Sequence, residues 1–89
     1  MVEIKTDIVN KLGLHARAAA KLSHLTNSFA SDVTIVYNNV RVNAKSLLGI
    51  LTLAASVGNS ITIIAEGSDE EEAVTAIKDL FDRKFDEEN

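Results

Sequence analysis

The sequence predicts a two-layer α+β fold, with helices covering one face of a four-stranded sheet. Two patterns lead to this prediction. Short runs in which apolar and polar residues alternate, as in half-buried strands, are separated by stretches whose apolar residues recur at helical spacing. The chain has no proline, so glycine and asparagine mark the turns between these segments. The resulting order is strand, helix, hairpin, helix, strand, helix.

The first strand is predicted over residues 2–9, because apolar and charged side chains alternate there. Residues 10–13 form a loop, and a helix follows over 16–27. This helix carries one continuous apolar stripe, made of Ala18, Leu22, Leu25 and Phe29.

Two alternating runs, residues 33–37 and 40–42, flank Asn38 and Asn39. Asparagine tolerates positive φ, so this pair predicts a tight hairpin. A short helix is predicted next, over 47–56. Its N-cap is Ser46 and its apolar stripe consists of Leu47, Ile50, Leu51 and Ala54.

A Gly-Asn pair ends this helix, and the fourth strand is predicted over 60–66. Ser68 and Glu71 have the spacing of a capping box, which predicts the start of the last helix. The buried stripe of that helix is expected to be Val74, Ile77 and Phe81. The final DEEN, residues 86–89, is expected to fray.

Composition favours one globular domain over residues 1–89, because 46% of the residues are hydrophobic and 25% are charged. The chain has no cysteine, which excludes disulfides and cysteine-based metal or thiol sites. Charged residues near the N-terminus argue against a secretory signal, and no apolar run is long enough to span a membrane. We therefore expect a cytoplasmic protein without membrane insertion, bound metal or cofactor.

The charge is distributed unevenly along the chain. Residues 66–89 hold ten of the thirteen acidic residues, whereas residues 1–65 hold six of the nine basic ones. A basic first part favours small anions or acidic protein surfaces as partners. Nucleic acid is not expected, because the basic residues are sparse and aromatic residues make up only 4% of the chain.

The segment GLHARAAAKL places His15 at the start of the first predicted helix. Backbone N–H groups at a helix start, here those of Ala16 and Arg17, have no intrahelical partner and form an anion site together with the helix dipole. The Arg17 guanidinium adds a fork of donors that suits phosphate oxygens. A nucleophilic imidazole among these donors indicates that the anion becomes covalently attached, and imidazole suits reversible phosphoryl transfer.

Other interpretations of the histidines stay open at this point. A lone histidine near a helix start is more often a solvated or capping residue. His24 follows His15 by nine residues, which places the two on opposite sides of the helix, so they cannot share a metal ion. We expect His24 to be a surface residue. A hydrolase using His15 is disfavoured, because no Ser or Cys nucleophile with a base and an orienting acid is evident.

Two segments closely resemble the HPr family, the histidine-containing phosphocarriers of the bacterial sugar phosphotransferase system. The first is GLHARAAAKL around His15, and the second is RVNAKSLLGILTLAA, residues 41–55. Chain length and element order also match over nearly all 89 residues. The resemblance implies an open-faced β-sandwich of βαββαβα order, with three helices on one face of an antiparallel sheet.

The resemblance also implies a function. His15 would be phosphorylated at Nδ1 by Enzyme I, which takes the phosphoryl group from phosphoenolpyruvate, and Arg17 would neutralise the phosphate. The group would then pass to the A-component of a sugar permease. Such a protein is a carrier rather than an enzyme, and we expect a monomer. Ala18 stands where the family usually has proline; alanine is a good helix former, so the helix is expected to survive.

Ser46 matches the serine that an ATP-dependent HPr kinase/phosphorylase modifies in many relatives, although a plain N-cap is the simpler role. Some of Leu47, Leu48 and Leu51 should be exposed, because a helix lying on a sheet buries only one stripe; such leucines would resemble the family's apolar docking patch. An HPr-like regulatory phosphocarrier in nitrogen or carbon control, not coupled to sugar transport, is the alternative function.

Overall fold

The computed structural model describes residues 1–87 and has the predicted βαββαβα order. Its strands are β1 (Val2–Asp7), β2 (Asp32–Tyr37), β3 (Val40–Asn43) and β4 (Ser60–Glu66). Its helices are α1 (Ala16–Thr26), α2 (Leu47–Thr52) and α3 (Glu70–Asp82), and a short 3-10 turn (Lys84–Asp86) follows α3.

The four strands form one sheet in the order β1-β4-β2-β3, and every neighbouring pair is antiparallel. Ile63 in the centre pairs with Ile4 on one side and Ile35 on the other, so an apolar row crosses the sheet. The three helices cover one face, which confirms the predicted open-faced sandwich. No helix within residues 1–87 is both long and apolar enough to cross a membrane.

The core lies between the sheet and the helices. The predicted stripe of α3 is buried, since Val74, Ile77 and Phe81 are at most 5% exposed. The predicted stripe of α1 is correct for Ala18 and Leu22, which are fully buried. Leu25 and Phe29 are only half-buried, and Phe29 lies beyond the end of the helix.

Thr26 occupies the buried position in the last turn of α1 that the apolar pattern assigned to Leu25. Its hydroxyl donates to the carbonyl oxygen of Ala44 at 2.7 Å. This hydrogen bond offsets the desolvation of the hydroxyl, which is why a polar side chain is tolerated there.

The hairpin prediction is confirmed. Asn38 and Asn39 both have positive φ, 54° and 65°, and Tyr37 pairs directly with Val40 across the two-residue turn. Because both central residues have positive φ, the twist of the turn matches that of the flanking strands.

Helix α2 is shorter than its apolar pattern predicted and ends at Thr52. Ala54 adopts a φ of 52°, which cannot continue a right-handed helix, and its side chain is exposed rather than part of a buried stripe. Strand β1 is also shorter than predicted, ending at Asp7. Ile8 is nonetheless buried, and its backbone exchanges hydrogen bonds with Gly58 and Asn59.

The predicted capping box of Ser68 and Glu71 is wrong. The N-cap of α3 is Asp69, and its side chain does not bond to its own helix. The carboxylate instead accepts hydrogen bonds from the backbone N–H groups of Ala30 and Ser31, at 2.8 and 2.9 Å, and from the Ser31 hydroxyl. A tertiary contact to the loop after α1 therefore replaces the local cap.

The chain after α3 does not fray at Asp86 and Glu87, contrary to the prediction for DEEN; residues 88 and 89 lie outside the described part. Three consecutive residues, Lys84, Phe85 and Asp86, have φ between 55° and 62°. This left-handed turn buries Phe85, whose ring contacts that of Phe81 edge to face at a centroid distance of 4.8 Å.

Helix α1 holds this turn in place. The Lys21 ammonium donates to the carbonyl oxygen of Phe85 at 2.8 Å and lies 3.6 Å from the Asp86 carboxylate. The end of the described chain therefore lies along α1 and reaches the start of that helix.

Candidate functional site

The loop before α1 is fixed by a close approach to the segment after α2. Gly13 has a φ of 66°, and a Cβ on it would lie 2.8 Å from both the carbonyl oxygen of Ala55 and the Cα of Ser56. The N–H of Leu14 donates to the same Ala55 oxygen at 3.1 Å. Only glycine fits this position. The close approach at Gly13 therefore fixes the loop immediately before the start of α1.

His15 is the N-cap of α1, as predicted. Its backbone is extended, with φ −73° and ψ 178°, and its carbonyl accepts the first helical hydrogen bond, from Ala19, at 2.8 Å. Its side chain makes no capping bond. The N–H groups of Ala16 and Arg17 lie in the first turn, where backbone donors have no partner within the helix and can bind an anion.

Arg17 lies exposed in the first turn of α1, and within residues 1–87 its side chain makes no hydrogen bond or ion pair. The helix begins at Ala16 although Ala18 stands where proline is usual in the resembled family, which confirms that alanine supports the helix. Ala18 itself is fully buried.

The imidazole of His15 contacts a carboxylate near the end of the chain. Its Nε2 lies 2.7 Å from Oε2 of Glu87, and the side amide of Asn10 donates to the same oxygen at 3.0 Å. The His15 side chain is 27% exposed and that of Glu87 only 10%. The amide of Asn10, which is fully buried, is held in turn by the carbonyl oxygen of Gly13 at 2.7 Å.

Opposing effects act on the Glu87 carboxyl. Burial favours its neutral form, but hydrogen bonds from His15 and Asn10, together with the charges of His15 and Arg17, outweigh burial and hold the pKa of Glu87 below its usual value. The site thus contains an ionised carboxylate on one side of the imidazole and an exposed guanidinium in the following turn.

Sequence reasoning missed Glu87 and Asn10. The contact between His15 and Glu87 joins residues 72 positions apart, and it depends on a left-handed turn that contains no glycine. The one available signal is Phe85, an aromatic residue in an otherwise charged tail, which indicates that this tail packs against the core.

Ser46 is the N-cap of α2, as predicted, and its hydroxyl accepts from the N–H of Gly49 at 3.0 Å. The neighbouring Lys45 carbonyl accepts from the Ser23 hydroxyl at 2.9 Å, so Ser46 lies toward the C-terminal end of α1. Eight residues of helix separate Ser23 from His15, which corresponds to about 12 Å along the axis. Ser46 and His15 therefore do not touch.

The predicted docking leucines differ in exposure. Leu48 is 75% exposed and Leu47 39%, whereas Leu51 is half-buried. Two further apolar side chains are exposed in loops at the His15 end of α1, namely Leu12 at 61% and Val57 at 50%, and sequence reasoning did not single them out.

His24 lies exposed in the last turn of α1, as predicted. Within residues 1–87, no group of three or more His, Asp or Glu side chains is arranged to hold a metal ion.

Comparison with known proteins gives consistent matches over the length of the chain. A family profile described as "PTS HPr component phosphorylation site" matches residues 2–83. Phosphocarrier protein HPr of Cupriavidus necator is 45% identical over 87 residues, which are 98% of each chain. The crystal structure of HPr-C-His from Thermoanaerobacter tengcongensis matches over 100% of both chains, with 46% identity and a TM-score of 0.96.

Two other similar proteins have different names. Phosphocarrier protein NPr of Shewanella violacea is 45% identical over 86 residues, covering 97% of this chain and 94% of that protein. The Bacillus subtilis catabolite repression containing protein Crh has 39% identity and a TM-score of 0.76, covering 94% of this chain and 97% of that one, and its crystal structure is a swapped dimer. The expectation that this chain is a monomer therefore stays a prediction.

Proposed function

The chain belongs to the HPr family of phosphocarrier proteins of the phosphotransferase system, and we propose that it accepts a phosphoryl group from phospho-Enzyme I on Nδ1 of His15. From there the group passes to the A-component of a sugar permease. The observation that carries this proposal is an imidazole at the N-cap of α1 that makes no capping bond. It stands beside the backbone N–H groups of Ala16 and Arg17, which have no partner within the helix, and beside the exposed Arg17 side chain.

The transfer requires little beyond positioning and charge neutralisation. The Nδ1 lone pair forms a bond to phosphorus while the bond between phosphorus and the donor's imidazole breaks and returns its electron pair to the donor. The N–H groups of Ala16 and Arg17 and the Arg17 guanidinium stabilise the negative charge of the phosphoryl oxygens. The product is the carrier in modified form, which a second acceptor regenerates.

Partner proteins would dock over the start of α1 and along α2. The basic first part of the chain favours acidic partner surfaces, and the exposed Leu47 and Leu48, with Leu51 beside them, offer apolar contact area. We infer that residues 1–89 act as one domain in the cytoplasm, where Enzyme I and the soluble permease components would be encountered.

The test of the carrier role is incubation with phosphoenolpyruvate and Enzyme I, followed by intact-mass measurement. We expect an acid-labile gain of one phosphoryl group in the unmodified sequence and in His24→Ala, and no gain in His15→Ala. No gain in any of the three proteins, or a gain retained in His15→Ala, would contradict the proposal.

Arg17→Ala should slow the transfer without preventing it. Removing a buried donor to a developing anion typically costs about 100-fold or more in rate. Arg17 is exposed to solvent, which screens its charge, so we expect a loss on the order of tenfold. Single-turnover transfer from phospho-Enzyme I measures this rate, and Lys11→Ala, which removes an exposed positive charge from the preceding loop, serves as the control.

We further propose that Ser46 is a regulatory phosphorylation site for an HPr kinase/phosphorylase. A phosphate there would add about −1.5 to −2 charges and would be compatible with the N-terminal end of α2. Because Ser46 is separated from His15, the phosphate would act on docking rather than on the imidazole. We expect Ser46→Asp to raise the KM for Enzyme I with little change in the maximal rate; the reverse pattern would argue against this role.

A regulatory phosphocarrier in nitrogen or carbon control is the second candidate, and similarity to the NPr and Crh proteins favours it. The two candidates differ in the acceptor that discharges phosphorylated His15. Adding a sugar permease A-component or a nitrogen-branch acceptor separately to the phosphorylated protein, and measuring the loss of the phosphoryl group, distinguishes them.

A further inference from the structure

We propose that Glu87 is a positioning residue for His15. Its carboxylate accepts a hydrogen bond from the Nε2–H of the imidazole, so that Nδ1 is the ring nitrogen with the free lone pair. Asn10 assists by fixing the carboxylate. This inference rests on the proposed role of His15 and names residues that determine which ring nitrogen reacts.

Two hydrogen bonds hold one oxygen of the Glu87 carboxylate. Oε2 of Glu87 lies 2.7 Å from His15 Nε2 and 3.0 Å from the Asn10 side amide. The same amide donates to the Gly13 carbonyl at 2.7 Å. Rotating the amide by half a turn would place its oxygen against both a carboxylate and a carbonyl, so only one orientation of Asn10 is compatible with this network.

The proton on the imidazole follows from this arrangement. An ionised carboxylate only accepts hydrogen bonds, so the short contact requires the hydrogen to be on Nε2. In the neutral ring, Nδ1 then has no hydrogen and keeps its lone pair. A hydrogen bond at one ring nitrogen commonly selects the reactive form of the other in this way.

The segment that precedes Glu87 has an unfavourable backbone conformation. Lys84, Phe85 and Asp86 all have left-handed backbone conformations although none is glycine, and such conformations are unfavourable for residues with a Cβ. Glu87 Oε1 is buried and has no hydrogen-bond partner within residues 1–87. Burial of Phe85 and the Lys21 hydrogen bond offset these costs. The result is a largely buried carboxylate that lies against the imidazole of His15.

The charges in the transfer step are consistent with this role. When Nδ1 bonds to phosphorus and the donor's P–N bond breaks, the Nε2 hydrogen stays on His15 and the ring acquires positive charge. The Glu87 carboxylate is then the counter-ion of the ring, while Arg17 neutralises the phosphoryl oxygens on the other nitrogen. Lys21 and Asp86, which lie along the same stretch of α1, form an ion pair with each other at 3.6 Å.

The first measurement is NMR of the full chain with ¹⁵N-labelled histidine, at a pH where both imidazoles are neutral. We expect His15 to show hydrogen on Nε2 that exchanges slowly enough to be observed, and Glu87→Ala to lose this signal. Glu87→Gln retains an acceptor and should retain the signal at a changed shift. His24 is the internal control and should not change in any variant.

Glu72→Gln is the matched charge control, because Glu72 is exposed and makes no side-chain hydrogen bond within residues 1–87. It should leave the His15 signals unchanged. Hydrogen on Nδ1 in the unmodified protein, or an identical Nε2 signal in Glu87→Ala, would overturn the proposal. Neither readout depends on phosphoryl transfer.

The second measurement is single-turnover transfer from phospho-Enzyme I. We expect Glu87→Ala to reduce the transfer rate about tenfold, by analogy with the loss seen when the hydrogen-bond partner of a metal-bound histidine is removed. The half-saturating donor concentration should not change. Glu87→Gln should recover part of the loss. An unchanged rate in Glu87→Ala would refute the positioning role while the carrier function stands; absence of transfer to the unmodified protein would instead refute the carrier function.

Discussion

Two serines that precede helices have different surroundings. The Ser46 hydroxyl accepts from the N–H of Gly49 at 3.0 Å and so satisfies one of the free donors at the start of α2. Ser68 is exposed, precedes the true N-cap Asp69, and makes no side-chain hydrogen bond within residues 1–87. The same residue type therefore has a structural role in one place and none in the other.

Ser46→Ala should accordingly lower the free energy of unfolding by about 1 kcal/mol, the usual value of a serine N-cap. Ser68→Ala should change it by less than about 0.5 kcal/mol, as is usual for an exposed side chain without partners. Urea unfolding of the two variants measures both effects. Equal losses would show that the capping assignment is wrong.

At this scale the sequence could predict that His15, Arg17 and Ser46 lie at helix starts, because their own neighbours define those starts. It could not predict Asp69 or Glu87 in their observed roles. Asp69 bonds to a loop 38 residues earlier, and Glu87 to a histidine 72 residues earlier. These partners become neighbours only when the chain is folded, and local sequence patterns give no information about such distant contacts.

The loop before α1 and the loop after α2 each contain a glycine with positive φ, but the surroundings of the two glycines differ. A Cβ on Gly13, at φ 66°, would overlap the backbone of Ala55 and Ser56. A Cβ on Gly58, at φ 90°, would meet nothing within 4 Å. Gly13 is therefore required by both conformation and space, whereas Gly58 is required by conformation alone.

Comparing two alanine variants separates these requirements. Gly58→Ala should destabilise the protein by about 1 kcal/mol through backbone strain. Gly13→Ala should cost about 1–3 kcal/mol more, because the backbone of Ala55 must move, and it should also slow phosphoryl transfer to His15. Chemical denaturation and the transfer assay measure the two effects; a smaller loss for Gly13→Ala than for Gly58→Ala would contradict the steric argument.

The end of α3 offers a stabilising substitution. Lys84 follows the C-cap Arg83 with a φ of 58°, the position and conformation that glycine usually occupies after a helix. Lys84→Gly should therefore raise the free energy of unfolding by about 0.5–1 kcal/mol. Lys84→Ala, which keeps a Cβ in the same conformation, should not. Thermal unfolding at one pH compares them, and a gain in both would point to the lost lysine charge instead.

The sequence predicts the bounds of an element where the residue types signal its end. It fails where an element ends at a residue whose type gives no sign of its unusual backbone conformation. Asn38 and Asn39 made the hairpin predictable, since asparagine favours positive φ. Ala54 and Lys84 also have positive φ, but neither residue type signals it. The apolar pattern therefore extended α2 too far and gave no indication of the turn after α3.

Across the whole molecule, the alternation of apolar residues predicted a sheet with one covered face but not its strand order. Placing β4 between β1 and β2 requires the connections to be packed, and several of these packing contacts are made by acidic side chains. The pKa values of Asp69, Glu70 and Asp86 lie below their usual range, chiefly because of hydrogen bonds from Ser31, the N-terminal amine and Arg83 respectively. The carboxylates of Asp69 and Glu70 thereby join α3 to the loop after α1 and to the N-terminus, whereas that of Asp86 acts locally at the end of α3.

The carboxylate of Asp69 should therefore make stability depend on pH. Hydrogen bonds from the Ser31 hydroxyl, and then from the N–H groups of Ala30 and Ser31, lower its pKa in the folded state. A group with a lowered folded pKa stabilises the fold above its unfolded pKa, about 3.9 for aspartate. That contribution is lost as the pH falls through the folded value.

Asp69→Asn removes this contribution at neutral pH but little in acid, where the carboxyl of the unmodified protein is itself protonated. We expect the urea midpoint of the variant to lie below that of the unmodified protein at about pH 6, and the gap to narrow as the pH falls through the folded pKa of Asp69. Glu72→Gln, which removes an exposed carboxylate without hydrogen bonds, should show no such closing gap. A gap for Asp69→Asn that stays constant with pH would mean that the side chain contributes by shape and not by charge, so that the link between α3 and the loop after α1 would persist in acid.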